Sequence, residues 1–302
     1  MIECVPNVSE GRDPEIISRI ADAIVRADCR LLDVHSDPDH NRSVYTIVGE
    51  AEQIEYGAVA LAESATALVD LAAHCGVHPR IGAVDVIPFI PLGSTPMSKC
   101  VDVARNVGRT LGKHLDLPVF LYGAATQSRQ RMSLPGIRRG GMKALARRLN
   151  DTPPDFGPWH LHPTSGAVAI GARPLLVAFN VVLDTNDIAA ARAIAAAMRE
   201  VNGGLPGVKA LGFALASRGL VQVSMNLTQV PRNEDDIARP TLPRVFQYAE
   251  SEASHLGIAV LESELVGLVP KAALADGTAA SLRMREDPCK RILEVSIGES
   301  LP

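Results

Sequence analysis

The chain of 302 residues has only five cysteines, Cys4, Cys29, Cys75, Cys100 and Cys289, with no Cys-x-x-Cys pair among them. An odd, scattered set fits reduced thiols and argues against a disulfide framework. Residues 1–6 offer no basic segment followed by a long apolar one, so no secretory signal is expected, and the cytoplasm is the expected compartment. A membrane span needs about 20 consecutive apolar residues. The longest weakly polar run, 166–183, is interrupted by Arg173 and Pro174, and no membrane segment is expected. A basic excess is missing too. With a net charge of -4 and a pI near 6.1 the chain lacks the electrostatic footprint of a nucleic-acid binder. No P-loop or Gly-x-Gly-x-x-Gly sits at a strand-helix junction, no Gly-x-Ser-x-Gly elbow is present, and no His-Glu-x-x-His occurs.

What is present is an ordinary globular composition, 47% hydrophobic and 21% charged, at a length that suggests two domains. In the first half an apolar segment, 2–8, runs into a polar loop. A helix follows from Asp13, with Asp13-Pro14 as N-cap and first helical proline, and Ile16, Ile17, Ile20, Ala23 and Ile24 at helical spacing. Strands are expected at 30–34 and 43–49, an Ala/Leu-rich helix over 54–73, and a buried strand over 83–91. The order βαββαβ is that of the split, ferredoxin-like unit. A further helix (97–115), a strand (118–122) and a basic helix (134–149) extend it.

The stretch Asp151-Thr-Pro-Pro-Asp-Phe-Gly-Pro158 is too rich in turn residues for regular structure and reads as a linker. The second half repeats the order, with strands at 175–183, 208–216, 220–227 and 258–269 and helices at 187–199 and 242–256; from Ala279 on the chain reads as a tail. The expected fold is therefore α/β (α+β), two ferredoxin-like βαββαβ subdomains with mixed sheets, each covered by helices on one face, that face each other across a substrate cleft. The boundaries are 1–150, a linker at 151–174, and 175–302.

Two polar stretches carry chemistry. One is the string at the end of the second strand: Asp33, His35, Asp37, Asp39, His40, Asn41 and Arg42. The other runs from His74 to Pro91, where His78 and Arg80 precede the buried strand and Asp85 interrupts it. Pro79 biases His78 away from helical dihedrals, onto a loop. In a βαββαβ unit the two stretches approach each other, and the set suits a substrate carrying carboxylates and a cationic group, with histidine moving protons. A structural ion-pair network remains the alternative. A metal site built from His35, His40, His74, His78, His160 and His162 together with Cys75 and the Asp cluster is disfavoured by spacing, and no metal is expected. Arg129, Arg131, Arg138, Arg139, Lys143, Arg147 and Arg148 cluster within twenty positions, as a solvated helix face or as a local anion site.

The segments 3–11 (Glu-Cys-Val-Pro-Asn-Val-Ser-Glu-Gly), 31–34 (Leu-Leu-Asp-Val), 41–49 (Asn-Arg-Ser-Val-Tyr-Thr-Ile-Val-Gly), 78–91 (His-Pro-Arg-Ile-Gly onward), 119–123, 154–158, 166–183 and 265–270 together resemble glutamate formiminotransferase over nearly the whole chain. The resemblance implies transfer of a formimino group between N-formimino-L-glutamate and tetrahydrofolate as co-substrate, in a homodimer. It makes His78 the catalytic histidine, with His35 and Arg80 beside it. Asp33, Asp39, His40, Asn41 and Arg42 become the substrate-binding candidates, and Gly157, Pro158, Trp159, His160, Leu161, His162, Pro163, Thr164, Ser165 and Gly166 the folate-contacting segment. The chain departs from animal members at Trp159, His160 and His162, and at His35, where they carry aspartate. No room is left for the cyclodeaminase domain of the animal enzyme, so transfer alone is expected. Formyl transfer in the same cleft, or folate binding without catalysis, are the alternatives.

Overall fold

The computed structural model describes residues 1–128, 134–231, 235–236 and 238–298. Arg129 and Arg131 of the basic cluster lie outside the described residues. The chain forms two compact units, Met1–Pro174 and the part from Leu175 onward.

In the first unit strands β1 (Ile2–Cys4) and β2 (Asn7–Val8) are two halves of one run, both pairing with β4 and β5. Pro6, which has no N–H to give the ladder, separates them; its carbonyl still accepts from Tyr45 N at 3.0 Å. Helix α1 (Pro14–Arg26) begins as its cap requires, with the Asp13 side chain accepting from Glu15 N and Ile16 N. Then come β3 (Arg30–Asp37), β4 (Arg42–Gly49), α2 (Ala51–Leu68) and β5 (Val84–Pro91). Helix α2 ends at Leu68, short of the expected end at 73, and His74 lies on the loop beyond it.

After β5 the chain adds α3 (Met97–His114), β6 (Val119–Gly123), α4 (Leu134–Arg138), α5 (Gly141–Arg148) and β7 (Val168–Ala172). The sheet runs β3, β4, β1/β2, β5, β7, β6, its first four positions antiparallel as in a ferredoxin-like unit, its last two parallel to β5. The segment 151–174, read from sequence as a linker, thus supplies an interior strand. All five residues of β7 are buried. A parallel strand covered on both faces shows no alternation that would announce it.

Helices α1, α2 and α3 pack one face of this sheet, around Tyr45, Ile47, Leu61, Ile87, Phe89 and Val107. Helices α4 and α5 bury Val86, Phe120, Tyr122 and Ala169 on the other. The expectation of helices on one face only fails here, because β5, β6 and β7 are apolar on both sides.

The second unit follows its expected order closely: β8 (Val177–Leu183), α6 (Ile188–Met198), β9 (Val208–Leu215), β10 (Leu220–Leu227), α7 (Leu242–His255) and β11 (Val260–Val266). Its sheet runs β11, β8, β10, β9, wholly antiparallel. Phe179, Val181, Val221, Val223, Ile194, Phe246 and Leu265 fill the core under α6 and α7. The segment after Ala279, expected as a tail, is instead docked. Ser263 N donates to Arg283 O and Val269 N to Arg291 O, at 3.0 and 2.9 Å, while Leu282 and Leu293 are buried. The short helices α8 (Lys271–Leu274) and α9 (Leu293–Ile297) belong to this region.

Candidate active site

On β4, Tyr45 and Ile47 point into the core under α1 to α3, so Arg42, Val44 and Thr46 point to the opposite face. The β3/β4 register sets Asp37 against Arg42, His35 against Val44 and Asp33 against Thr46. Asp33, His35, Asp37 and Arg42 therefore share one sheet face. Glu3, paired with Val48, shares it too, a residue that no sequence signal singles out; burial, opposed by Arg173, raises its carboxyl to about 7.

The turn between β3 and β4 and the loop 74–80 are stitched together. Val77 N donates to Asp39 O at 3.3 Å, and Asn41 Nδ2 to Cys75 O at 3.0 Å, while Asn41 Oδ1 accepts from Gly11 N at 2.9 Å. His74 Nε2 donates to Asn41 O at 3.0 Å, which leaves its Nδ1 to accept from Arg80 Nη1. Burial and Arg80 lower the pKa of His74. The other donors of Arg80 go to backbone: Nε and Nη2 to His78 O at 3.1 and 2.8 Å, and Nη2 also to His40 O at 3.3 Å. Arg80 and Asn41 therefore hold the loop's shape, and His74, which the sequence marked only as a neighbour, helps them.

The close approach leaves no space for a side chain at position 76. A Cβ on Gly76 would stand 2.4 Å from His40 O and 2.9 Å from Asn41 Cβ. Gly76→Ala must push the two segments apart, and a displacement near 1 Å at a site of this kind costs up to about 10²-fold in rate. The expected result is a fall in kcat of that order with the fold retained, read from initial rates and circular dichroism on the same sample.

His78 sits where the two segments meet. Its Nδ1 donates to Pro79 O at 2.8 Å, which fixes the tautomer and makes Nε2 the lone-pair nitrogen. Arg42 Nη1 donates to that Nε2. The ring of His40 stands edge-on to His78, with centroids 6.0 Å apart and planes at 79°. Asp37 holds His40 twice, accepting from its backbone N at 2.8 Å and pairing with its Nδ1 at 2.6 Å. Burial alone would raise the Asp37 carboxyl, but the His40 contacts outweigh it and the pKa falls below its ordinary value.

From the opposite side α4 delivers Arg138, whose Nη2 donates to Asp85 Oδ2; Asp85 Oδ1 accepts from Ile81 N at 2.7 Å. The basic cluster thus divides. Arg138 turns inward and Arg148 donates to Ile137 O at 3.0 Å, while Arg139, Lys143 and Arg147 are exposed. Burial, then Arg42, Arg138 and His40, drive the pKa of His78 well below its ordinary value, with the Pro79 carbonyl opposing. At neutral pH its Nε2 is therefore an unprotonated base.

The segment 157–166 forms an exposed loop rooted beside this site. Leu71 N donates to Thr164 O at 2.8 Å, Ala83 N to Ser165 O at 2.9 Å and Ala167 N to Ile81 O at 2.8 Å. His162 Nδ1 accepts from Ser165 N at 3.0 Å, which closes the turn, and Trp159 is 60% exposed. Among the described residues no three His, Cys, Asp or Glu side chains converge as metal ligands.

Two ferredoxin-like units, one of them carrying His78 among guanidinium groups, define an α+β protein with a cationic polar site. Residues 1–173 match the N-terminal subdomain of the formiminotransferase domain, and residues 178–292 match the formiminotransferase domain. The chain belongs to the formiminotransferase family. It is 42% identical to a glutamate formimidoyltransferase of Thermoplasma acidophilum over 91% of this chain and 90% of that one. Against a glutamate formimidoyltransferase of Streptococcus pyogenes it is 38% identical over 97% of each. A mouse formimidoyltransferase-cyclodeaminase is 42% identical over 92% of this chain, which spans about half the length of that relative (52%).

Proposed function

We propose that this chain is a glutamate formimidoyltransferase, moving the formimino group between N-formimino-L-glutamate and tetrahydrofolate to give 5-formiminotetrahydrofolate and L-glutamate. The observation that carries the reading is the geometry of His78, its Nδ1–H fixed on Pro79 O and its Nε2 turned toward Arg42, with burial and Arg42 lowering its pKa.

Formiminoglutamate brings two carboxylates and an amidine that is cationic when protonated. Arg42 answers the first charge, and Asp33 and Asp39 the second. His78 Nε2 accepts the proton that N5 of tetrahydrofolate sheds as the new N5–C bond forms at the amidine carbon. The same nitrogen then returns that proton to the glutamate nitrogen as the old C–N bond breaks. One bond forms, one breaks, the proton is passed on, and no oxidant or reductant is needed. Because the electrophilic carbon is already cationic, the site needs no oxyanion hole. His35, on the same sheet face as Arg42, stands on the amidine side, and Arg80 and Asn41 serve by holding His78 in place.

The loop 157–166 is the folate-contacting segment, with exposed Trp159 offering an aromatic face to the pterin or aminobenzoate ring. An aromatic stacking pair contributes roughly 0.5–1.5 kcal/mol beyond burial. Trp159→Ala is therefore expected to raise KM for tetrahydrofolate up to about tenfold and to leave KM for formiminoglutamate unchanged. Residues 1–150 act as the catalytic subdomain, with 175–302 as the second subdomain of a homodimer in the cytoplasm; no helix of the described residues is long and apolar enough to cross a membrane. Sedimentation equilibrium tests the dimer.

Mixing the protein with formiminoglutamate and tetrahydrofolate, then acidifying, should produce the absorbance of 5,10-methenyltetrahydrofolate. No product where folate demonstrably binds would overturn the reading. Product from N-formylglutamate but not from formiminoglutamate would assign formyl transfer instead.

A further inference from the structure

Three guanidinium groups, Arg42, Arg80 and Arg138, gather around His78, while nearby Asp37 is taken up by His40 and, among the described residues, Asp85 answers Arg138. Arg80 spends its donors on the loop. The other two do not. The Nε–H of Arg42 and the Nε–H of Arg138 are both buried and have no hydrogen-bond partner among the described residues. Buried donors in folded proteins find acceptors, and the Nε/Nη edge of a guanidinium is the edge that takes a carboxylate bidentately. The crowding is visible in Arg42 itself, whose pKa is lowered to about 9 by burial and then by Arg138.

Arg42 has a second engagement, because its Nη1 donates to His78 Nε2, the nitrogen that must accept a proton. A base whose lone pair is hydrogen-bonded to a guanidinium is silenced. It becomes active when something draws that guanidinium away.

We propose that the α-carboxylate of the acyl-amino-acid substrate binds between Arg42 and Arg138 and, by drawing Arg42 off His78 Nε2, arms the base. This rests on the formimidoyltransferase reading and adds to it which carboxylate binds where, and what its binding does. The chemistry selects the α-carboxylate. It is attached to the carbon that bears the departing nitrogen, so holding it against Arg42 presents that nitrogen to His78, whereas the γ-carboxylate lies at the far end of the side chain. The groups that bear on the His78 ring are Arg42 from β4, His40 with its Asp37 from the β3/β4 turn, Arg138 from α4 with Asp85 from β5, and Arg80 from its own loop. A carboxylate entering between Arg42 and Arg138 neutralises the two largest cationic influences on His78 at once. Arg42 and Arg138 thereby make binding and activation one event. Water meeting the site without substrate finds the base occupied.

The test needs no turnover. In the full-length protein carrying 13C-labelled histidine, the titration of His78 is followed by NMR with N-acetyl-L-glutamine, which keeps the α-carboxylate, and with N-acetyl-L-isoglutamine, which keeps only the γ-carboxylate. The His78 signal is assigned from its loss in His78→Gln. The expected result is a rise in the His78 pKa of about one unit or more with the first probe and none with the second, the rise being lost in Arg138→Gln. Arg138→Lys should restore it in part, with a monodentate contact. No rise with N-acetyl-L-glutamine, or an equal rise with both probes, overturns the proposal. Whether the protein transfers formimino groups is read separately by the methenyltetrahydrofolate assay. An active enzyme whose His78 ignores the α-carboxylate sinks this inference alone, and an inactive one whose His78 answers it sinks only the reading of the reaction.

Discussion

Replacing His78 by alanine is expected to lower kcat by roughly 10²- to 10⁴-fold, the range a positioned acid/base group supplies, while tetrahydrofolate still binds. The expectation rests on His78 being the group through which both proton movements pass. Its partners are specific enough to separate this role from a structural one. Nδ1–H is held by the carbonyl of the adjacent proline, so glutamine, which can reproduce one hydrogen bond but cannot carry a proton on and off, should be as inactive as alanine. The pH dependence provides a second reading. A base works in its unprotonated form, and burial with Arg42, Arg138 and His40 holds His78 well below its ordinary pKa in the free protein. The ratio kcat/KM reports the free enzyme, so its acid limb should lie below the usual histidine range and the profile should be flat through neutrality. kcat reports the substrate complex, where the carboxylate has drawn Arg42 away, so its acid limb should lie at higher pH. Coincident limbs near the ordinary histidine value would mean that His78 is not the titrating base, and an unaffected rate in His78→Ala would remove it from the reaction.

Much of this site was legible in the sequence because the signals are local. Asp13-Pro14 announced α1, and a proline after His78 announced a loop. The polar string was placed at the end of a strand over 30–34; β3 in fact runs on to Asp37, carrying Asp33, His35 and Asp37, and the ferredoxin-like order brought the turn after it to the loop before the fourth strand. The second unit was read almost strand by strand, since its apolar runs are bounded by turn residues such as Arg218-Gly219. What escaped has a common cause. β7 is apolar on every residue because it is covered on both faces, so it carries no period, and the Pro/Gly-rich stretch ahead of it hid its start. Arg138 read as one more charge on a basic helix; its partner Asp85 stands fifty-three residues earlier in the chain, a pairing no local pattern contains. The resemblance set Arg80 beside His78 and Arg42 among the substrate-binding residues, whereas the hydrogen bonds give Arg80 to the loop backbone and Arg42 to His78 Nε2.

The largest expected effect on stability belongs to Asp85→Ala. Asp85 is 2% exposed, on a strand that is otherwise continuous apolar sequence, and both of its oxygens are used. Oδ1 accepts the Ile81 amide at 2.7 Å and so fixes the exit of the loop that carries His78, and Oδ2 takes Arg138. Removing one member of a buried ion pair strands the other, which costs about 3–5 kcal/mol. Whole-domain stabilities are only about 5–15 kcal/mol, so Asp85→Ala should unfold at markedly lower denaturant than the parent. The double variant Asp85→Ala/Arg138→Met separates the two contributions. It leaves no buried cation behind and should recover most of the stability, yet it should remain impaired in turnover, since the Ile81 amide has lost its acceptor and α4 no longer brings a guanidinium to the site. If the double variant is no more stable than Asp85→Ala, then Asp85 acts chiefly through the Ile81 amide, and its pairing with Arg138 contributes little to the fold. Either result bears on why a carboxylate stands near the start of a buried strand. Asp85 is the counter-charge that lets Arg138 approach a neutral histidine at all. Its single negative charge, set against Arg42 and Arg138 together, leaves the site short of one carboxylate, which is what the substrate brings.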